Sequence, residues 1–134
     1  MICKICKKNE IEEVLNLGLQ PLANKYPKNK NDFLVEKIFP LNLLFCSNCL
    51  NVQIKKIIDR KEMFEDYYYL SSVNEALVSH FENLAKKLVS SSFIVDIGSN
   101  DGILLKPLKS KGIKSLGIDP SINVGKIAND KGLE

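Results

Sequence analysis

Short apolar runs separated by polar turns occupy the chain as far as Asp59. The segments Ile11–Leu17, Ile38–Cys46 and Leu50–Ile57 predict strands, the last because apolar and polar residues alternate along it. The polar, lysine-rich segment Asn24–Lys37 between the first two predicts a loop. Strands joined by cysteine-containing turns predict a small zinc-ribbon-like module of the α+β class, with too little hydrophobic core to fold without a metal.

Helical patterns begin at Asp59. Asp59-Arg-Lys-Glu62 resembles a capping box and predicts a short helix to about Asp66, and Ser72-Val-Asn-Glu75 repeats the pattern at the start of a longer helix. The apolar residues that share one face of the longer helix are Ala76, Leu77, Phe81, Leu84, Ala85, Leu88 and Val89. Ser90-Ser-Ser92 ends this helix.

Two strand–helix pairs follow. The nearly continuous apolar run Phe93–Ile97 predicts a strand buried on both faces. Gly102–Lys111 predicts a helix in which Pro107 is tolerated only near the first turn. Ser115–Asp119 predicts a second strand, and Ser121–Lys131 a helix that ends at the following glycine. This order predicts the start of a parallel α/β sheet.

Composition narrows the function classes. The chain has 134 residues, 45% of them hydrophobic, and 19 Lys and Arg against 16 Asp and Glu give a net charge of +3. That excess is too weak and too scattered to predict a nucleic-acid partner. The sequence has no apolar run long enough to span a membrane and does not begin with a secretory signal pattern, so we expect a cytoplasmic protein with no membrane partner.

The four cysteines form two matched pairs. Cys3 and Cys6, and Cys46 and Cys49, are each separated by two residues, with 39 residues between the pairs. Two such turns can place four thiolates at the corners of a tetrahedron, which is the geometry of a structural zinc site. Four thiolates leave no open position for water, so we expect the metal to stabilise the module and to do no chemistry.

Other interpretations of the cysteines remain open at this point. Two disulfides would require an oxidising compartment. A redox C-x-x-C lies beside a strand–helix turn, whereas Cys6 is followed by the polar turn Lys7–Glu10. An iron–sulfur cluster also uses four thiolates, usually with less symmetric spacing.

A glycine loop follows the apolar strand. Asp96-Ile-Gly-Ser-Asn-Asp-Gly102 lies where an open α/β sheet binds ligands, and Asp119, 23 positions after Asp96, ends the next strand, where a carboxylate can accept ribose hydroxyls. Asn100 and Ile103 occupy positions that would be glycine in the dinucleotide fingerprint. The loop therefore favours an adenosine ligand without a pyrophosphate, such as S-adenosylmethionine. The alternative is a structural turn with Asp96 as a buried cap.

Taken together, the motifs resemble the S-adenosylmethionine-dependent C-methyltransferases of deoxysugar biosynthesis. The segments that carry the resemblance are the two cysteine pairs, Leu17-Gly-Leu-Gln-Pro-Leu-Ala-Asn24, Pro40-Leu41, Tyr67-Tyr-Tyr-Leu-Ser-Ser72, His80, Ile97–Gly102 and Gly117–Pro120. The resemblance implies a zinc-ribbon-like module followed by a Rossmann-like class I methyltransferase sheet. It also implies methyl transfer to the enolate carbon of a nucleotide-linked keto-deoxysugar.

The resemblance also implies roles for individual residues. The implied cofactor-binding residues are Asp96, Gly98, Ser99, Asn100, Asp101, Gly102, Asp119, Tyr67, Tyr69, Ser71 and Ser72. Gly98 and the end of the loop would wrap the methionine part, and Asp119 would take the ribose. The alternative for Tyr67–Tyr69 is aromatic packing. For His80, a partly buried packing or hydrogen-bonding role is favoured over catalysis.

The length sets the expected organisation. We expect a zinc-binding module at 1–58, linker helices at 59–92 and an incomplete cofactor-binding domain at 93–134. Enzymes of the family that the chain resembles continue for a few hundred residues, so we expect a truncated N-terminal portion that is inactive alone and contains no identifiable catalytic base. The alternatives are a non-enzymatic zinc-binding interaction module and an unrelated nucleotide-dependent enzyme such as a dehydrogenase.

Overall fold

Three strands form an antiparallel sheet in the first part of the chain. In the computed structural model, which describes residues 1–134, β1 spans Ile11–Pro21, β2 spans Ile38–Cys46 and β3 spans Val52–Ile54, and their order in the sheet is β1-β2-β3. The three predicted strands are present, although β1 is longer and β3 shorter than predicted. The chain divides into two units, Met1–Asp59 and Arg60–Glu134, and this sheet belongs to the first.

The first unit has a very small core. Nearly all of β1 is exposed, and β2 alternates so that only Asn42, Leu44 and Cys46 are buried. The predicted loop before β2 contains one short helix, α1 (Asp32–Val35), which has no buried residue. Because so few side chains leave water, the apolar core alone contributes little to the stability of this unit.

The second unit contains the parallel sheet that the pattern predicts. Its elements are α2 (Arg60–Phe64), a 3-10 turn (Ser71–Val73), α3 (Glu75–Lys87), β4 (Phe93–Ile97), α4 (Leu105–Ser110), β5 (Lys114–Ile118) and α5 (Ile122–Asp130). Strands β4 and β5 pair in parallel, with Phe93 opposite Lys114 and Ile97 opposite Ile118. Their carboxyl ends therefore meet at one edge, where the glycine loop and Asp119 follow.

The start of α3 differs from the prediction. Asn74, not Ser72, caps the helix, and its side-chain oxygen accepts a hydrogen bond from the backbone N–H of Leu77 at 3.1 Å. The side chain of Ser72 instead bonds to Asp101 and the residue lies in the 3-10 turn, so it cannot cap the helix. Further along α3, the residues that pack against the buried cluster of Leu104, Leu108 and Ile113 are Phe81, Leu84, Ala85 and Leu88.

The prediction that β4 is buried on both faces is wrong. Phe93, Val95 and Ile97 are 55%, 46% and 83% exposed, and Leu116 and Ile118 of β5 extend the same open face. The alternate β4 residues are half-buried. A parallel strand is buried on both faces only where helices cover both, and here one face is uncovered.

Helices α4 and α5 end with the same glycine cap. Gly112 and Gly132 have φ values of 71° and 70°, and the N–H groups that follow them bond back to Leu108 and Ala128, each at 3.1 Å. This is the Schellman arrangement, in which a glycine takes the left-handed conformation. The predicted end of α5 at a glycine is confirmed. No helix in the structure has both the length and the apolar character needed to cross a bilayer.

Candidate functional site

The four cysteines converge in the first unit. All four sulfur atoms lie within 4.8 Å of one another. The Sγ atoms of Cys3 and Cys49 are 3.6 Å apart, as are those of Cys6 and Cys46, so each close pair joins one knuckle to the other. A covalent S–S bond is about 2.05 Å long, and the four cysteines are free. The disulfide alternative therefore does not describe this arrangement.

The two cysteine knuckles, which are the turns at Cys3–Cys6 and Cys46–Cys49, have the same backbone geometry. The N–H of Cys3 donates to the carbonyl of Lys8 at 2.8 Å, and the N–H of Cys46 donates to that of Asn51 at 2.9 Å. The residue after each second cysteine, Lys7 or Leu50, has a positive φ of 62° or 61°. Non-glycine residues adopt this conformation at a cost of about 1 kcal/mol or more. Both turns contain this unfavourable conformation, and each turn directs its two sulfur atoms toward the same four-sulfur cluster.

The sulfur environment favours bound cations. Backbone N–H groups of Cys6 and Ile5 lower the pKa of the Cys3 thiol to about 6 against the effect of burial, and the N–H of Lys8 lowers the pKa of Cys6. The N–H of Asn51 also favours the Cys49 thiolate, but burial and the neighbouring sulfurs raise the pKa of Cys49 to about 12. Four thiolates therefore repel one another unless a cation neutralises them.

Zinc fits this donor set. A tetrahedral ion with Zn–S distances of about 2.3 Å holds its sulfurs about 3.8 Å apart, close to the 3.6 Å separation of the two near pairs. Cys3 and Cys46 are fully buried, and the other two cysteines are half-buried. Four sulfur ligands complete the coordination, which is typical of a structural site.

The glycine loop of the second unit leaves open space at the carboxyl edge of the sheet. Gly98 is exposed, has a φ of 83°, and a Cβ built on it would meet no atom within 4 Å. Its N–H donates to the carbonyl of Ile118 at 2.7 Å, so the loop starts beside the end of β5. Ser99, by contrast, is buried. A ligand could therefore approach the backbone closely at Gly98.

Gly102 has a packing role. A Cβ at this position would clash with the side chain of Leu133, and Gly102 is buried with a φ of 83°. Gly117 on β5 is similar, because a Cβ there would lie 2.6 Å from the hydroxyl of Ser99. The two glycines allow the glycine loop to pack closely against β5 and Leu133. The resemblance to the family did not indicate this packing role.

Asp119 lies beside the loop, as its place after β5 predicts. Its two carboxylate oxygens accept the N–H of Asn100 and the N–H of Ser121, both at 2.8 Å. Each oxygen keeps lone-pair capacity for a further donor. Asp96 lies close enough to interact with Asp119: burial, followed by repulsion from that carboxylate, raises the pKa of Asp96.

Asn100 and Asp101 use their side chains to hold the tyrosine–serine segment. Asn100 accepts from the N–H of Ser71 at 2.9 Å and donates to the carbonyl of Tyr69 at 3.1 Å. Asp101 accepts from both the N–H and the hydroxyl of Ser72. The loop and residues 69–72, which the sequence predicted to share one site, are thus in direct contact.

Asp101 also forms an ion pair that the sequence did not predict. The Nζ of Lys131 lies 3.1 Å from its Oδ2, and the Asp101 side chain is fully buried. Burial raises the pKa of Asp101, but bonding from Ser72 and the charge of Lys131 outweigh burial and hold the pKa below its usual range. Lys131 is 30 residues away in the sequence, and no local motif marks it as a partner.

The side chains of His80, Tyr67 and Tyr69 differ in exposure and contacts. His80 is exposed and its ring lies edge-on to Phe81 at 5.4 Å, so the expectation of a partly buried histidine is wrong. Tyr67 is half-buried, and its ring lies edge-on to Phe64 at 5.8 Å. Tyr69 is 38% exposed. Tyr67 therefore makes an aromatic packing contact, whereas Tyr69 keeps a larger accessible surface.

Known proteins match the chain in two ways. Residues 3–64 match a family model described as "Putative zinc binding domain". The chain is 28% identical over 138 residues to C-methyltransferase NovU of Streptomyces niveus, a match that covers 98% of this chain and 33% of that protein. The chain thus spans about a third of the length of this curated relative.

The two matches agree with the geometry of the cysteine cluster. The family match begins at the first cysteine and includes all four, which are the residues that converge in the structure. The similarity to a C-methyltransferase extends beyond this region to nearly the whole chain. Both matches support the resemblance inferred from the motifs: residues 3–64 are similar to a zinc-binding domain, and nearly the whole chain is similar to part of a C-methyltransferase.

Proposed function

We propose that the chain is the N-terminal portion of an S-adenosylmethionine-dependent C-methyltransferase that acts in the cytoplasm on a nucleotide-linked keto-deoxysugar. The Cys3, Cys6, Cys46 and Cys49 cluster holds structural zinc in this proposal. The second unit is the start of a Rossmann-like sheet that binds the cofactor. The proposal assigns the base that forms the sugar enolate to no residue of this chain, because the resemblance carries no such residue over to it; the relative that the chain matches is about three times as long.

The observation that carries the cofactor proposal is the open space over Gly98 beside Asp119. Strands β4 and β5 are parallel, so the two residues follow strand ends at the same edge of the sheet. Gly98 presents exposed backbone with no atom near its missing side chain, and Asp119 retains acceptor capacity for ribose hydroxyls. The sulfonium group of a bound cofactor supplies the electrophilic methyl group.

Support for a larger sheet comes from β5, which pairs with one strand only. The N–H of Gly117 on β5 donates to the carbonyl of Glu134 at 2.7 Å, so β5 also bonds to backbone other than that of β4. The uncovered apolar face of β4 and β5 is the kind of surface that helices cover in doubly wound folds. Both features support the Rossmann-like interpretation.

The remaining roles in the proposal follow from the resemblance. The backbone of Ser99–Gly102 would follow the methionine part of the cofactor, and Asp96 would lie beneath it. Tyr69 and the 3-10 turn would line the cofactor or sugar side. The anionic nucleotide sugar is the proposed substrate partner, and neither nucleic acid nor a membrane is expected to bind.

Equilibrium dialysis of the zinc-loaded chain against S-adenosylmethionine and against NAD tests this proposal. We expect weak binding of S-adenosylmethionine and none of NAD. Gly98→Ala should abolish binding, because its methyl group occupies the open space. Gly18→Ala is the matched control, since Gly18 has a similar φ of 73° and equally open surroundings in the other unit.

The result that would contradict the proposal is equal binding of the two cofactors, or binding that Gly98→Ala and Gly18→Ala reduce equally. Absence of binding by the wild-type chain at millimolar cofactor would contradict a cofactor site within these residues. Thermal unfolding of both variants, measured in parallel, separates loss of fold from loss of binding.

A further inference from the structure

Residues 65–72 form a strap whose backbone is held by one side chain from the glycine loop and one from the start of α5. The side-chain amide of Asn123 accepts from the N–H of Tyr67 at 2.9 Å and donates to the carbonyl of the same residue at 2.6 Å. Asn100 bonds in the same double manner to the carbonyl of Tyr69 and the N–H of Ser71. Both amides therefore pair with backbone as a neighbouring strand would.

The spacing of these contacts has a physical cause. Backbone groups of alternate residues in an extended chain point to the same side. The groups that the two amides hold belong to every second residue, Tyr67, Tyr69 and Ser71. Between Tyr67 and Ser71 the strap thus presents one side of its backbone to the two amides.

The beginning of α5 holds the strap from a second direction. The N–H of Ile122, one of the helix N–H groups without a partner inside the helix, donates to the carbonyl of Glu65 at 3.1 Å. The side chain of Ser121 makes no cap bond. The strap therefore supplies the hydrogen-bond acceptor that a capping side chain usually supplies.

Both contact points connect to one carboxylate. Asp119 accepts the N–H of Asn100 through one oxygen and the N–H of Ser121 through the other. Asn123 follows two residues after Ser121 at the start of α5. The proposed ribose-binding acid thus bonds both to the glycine loop that carries Asn100 and to the residue before α5, the helix that carries Asn123.

The side chain of Asn100 is engaged with the strap. The residue is 9% exposed and its φ is 49°, a conformation that asparagine tolerates better than most residues. Its amide oxygen and amide nitrogen each already have a partner in the strap. Its contribution to the site is therefore made through the segment that it holds.

We propose that Asn123 and Asn100 are positioning residues that hold the strap, and with it Tyr67 and Tyr69, against the cofactor loop. This proposal rests on the proposed cofactor site, which it deepens: the two amides set the position of the aromatic segment without contacting the ligand. Asn123 is a site residue that no motif identified.

Residue-resolved hydrogen exchange of the zinc-loaded full chain tests directly whether the two amides hold the strap. Asn123→Ala removes two ordinary hydrogen bonds, so we expect exchange at Tyr67 to accelerate about tenfold or more. Asn123→Asp keeps the acceptor for the Tyr67 N–H but places an oxygen against the Tyr67 carbonyl. An acidic residue is favourable in the first turn of a helix, so this variant should loosen the strap without lowering the melting temperature.

Asn129→Ala is the matched control, because Asn129 is an exposed asparagine on the same helix. It should leave exchange in residues 65–72 unchanged. The affinity for S-adenosylmethionine, measured by the same dialysis as above, should fall about tenfold in Asn123→Asp and stay unchanged in Asn129→Ala. If Asn123 had only a structural role, Asn123→Asp would lower the melting temperature together with the cofactor affinity.

Two results would overturn the proposal. Unchanged strap exchange in both Asn123 variants would show that the amide does not hold the strap. Faster exchange with unchanged cofactor affinity would show that the strap does not position the site. A wild-type chain that binds no S-adenosylmethionine would contradict the proposed function. The exchange data would still decide whether the two amides hold the strap.

Discussion

The two units bring distant residues together by different physical means. In the first unit, two knuckles 39 residues apart meet at four sulfurs around a very small apolar core. In the second, α3, α4 and α5 bury apolar side chains, and buried amide and carboxylate groups hold the strap. We expect the first arrangement to depend on a metal ion, whereas the contacts described in the second are made between protein groups.

This difference predicts unequal stability without metal. Binding free energy at a site that exists only in the folded state is folding free energy. The first unit should therefore lose its structure when zinc is withdrawn, while the second should keep its hydrogen-exchange protection. The two units share one chain, so a single sample provides its own internal comparison.

Metal removal is the largest expected effect. Treatment with a strong chelator should remove about 10 kcal/mol of stabilisation from the first unit. Amide exchange in β1 and β2 should become fast, while exchange in α3 and β4 stays slow. Re-addition of zinc should restore protection, and equal loss of protection in both units would contradict the comparison.

The next largest effect is expected in the second unit. Asp101→Ala leaves the N–H and hydroxyl of Ser72 without their acceptor, which should lower the free energy of unfolding by about 2 kcal/mol. Asp130→Ala, at an exposed position in α5, is the control and should change stability little. Chemical denaturation at pH 7 measures both.

Asp101 also predicts a pH dependence. Its pKa is lowered in the folded state, so its stabilisation is present above the unfolded value of about 3.9 and is lost as the pH falls through the folded value. The stability of the wild-type second unit should therefore drop in acid more steeply than that of Asp101→Ala. Parallel pH profiles for the two proteins would argue against the ion pair.

A smaller effect, of opposite sign, is expected in the knuckles. Leu50 is 72% exposed and has a φ of 61°, so Leu50→Gly should raise the stability of the zinc-loaded first unit by about 1 kcal/mol. Val52→Gly is the control, because Val52 is an exposed residue within β3 and loses strand stability when replaced. If Leu50→Gly and Val52→Gly both lowered, or both raised, the free energy of unfolding, backbone strain at Leu50 would be refuted.

The smallest effect concerns Asp96. Its raised pKa means that the folded state disfavours the charged form, so stability decreases as the pH rises from the unfolded value of about 3.9 through the folded value. Asp96→Asn should remove that decrease and raise the stability at pH 7 by less than about 1 kcal/mol, since the group is partly exposed. Thermal melts from pH 4 to 8 provide the measurement.

Local patterns predicted the elements well where one signal dominates. The bounds of β2 and β4 agree with the apolar runs Ile38–Cys46 and Phe93–Ile97, and the cysteine spacing predicted the convergence of four sulfurs. The start of α3 was wrong because Ser72 and Asn74 are both good caps, and a tertiary contact with Asp101 removes one of them.

Long-range contacts could not be predicted from pattern. Asn123 lies 56 residues from Tyr67, and an asparagine near a helix start has many possible roles. The exposure of β4 also depends on whether helices cover both faces of the sheet. The apolar run indicates only that the strand can be buried on both faces. The sequence therefore predicted the cysteine cluster better than the contacts that hold the second unit together.

Chemical-shift mapping of the zinc-loaded chain with S-adenosylmethionine tests the central claim most directly. We expect shifts that concentrate at Ile97–Gly102, at Asp119 and in the strap, with the cysteine knuckles unaffected. NAD at the same concentration should leave those signals in place. Shifts confined to the first unit, or equal shifts with both compounds, would contradict a methyltransferase cofactor site in the second unit.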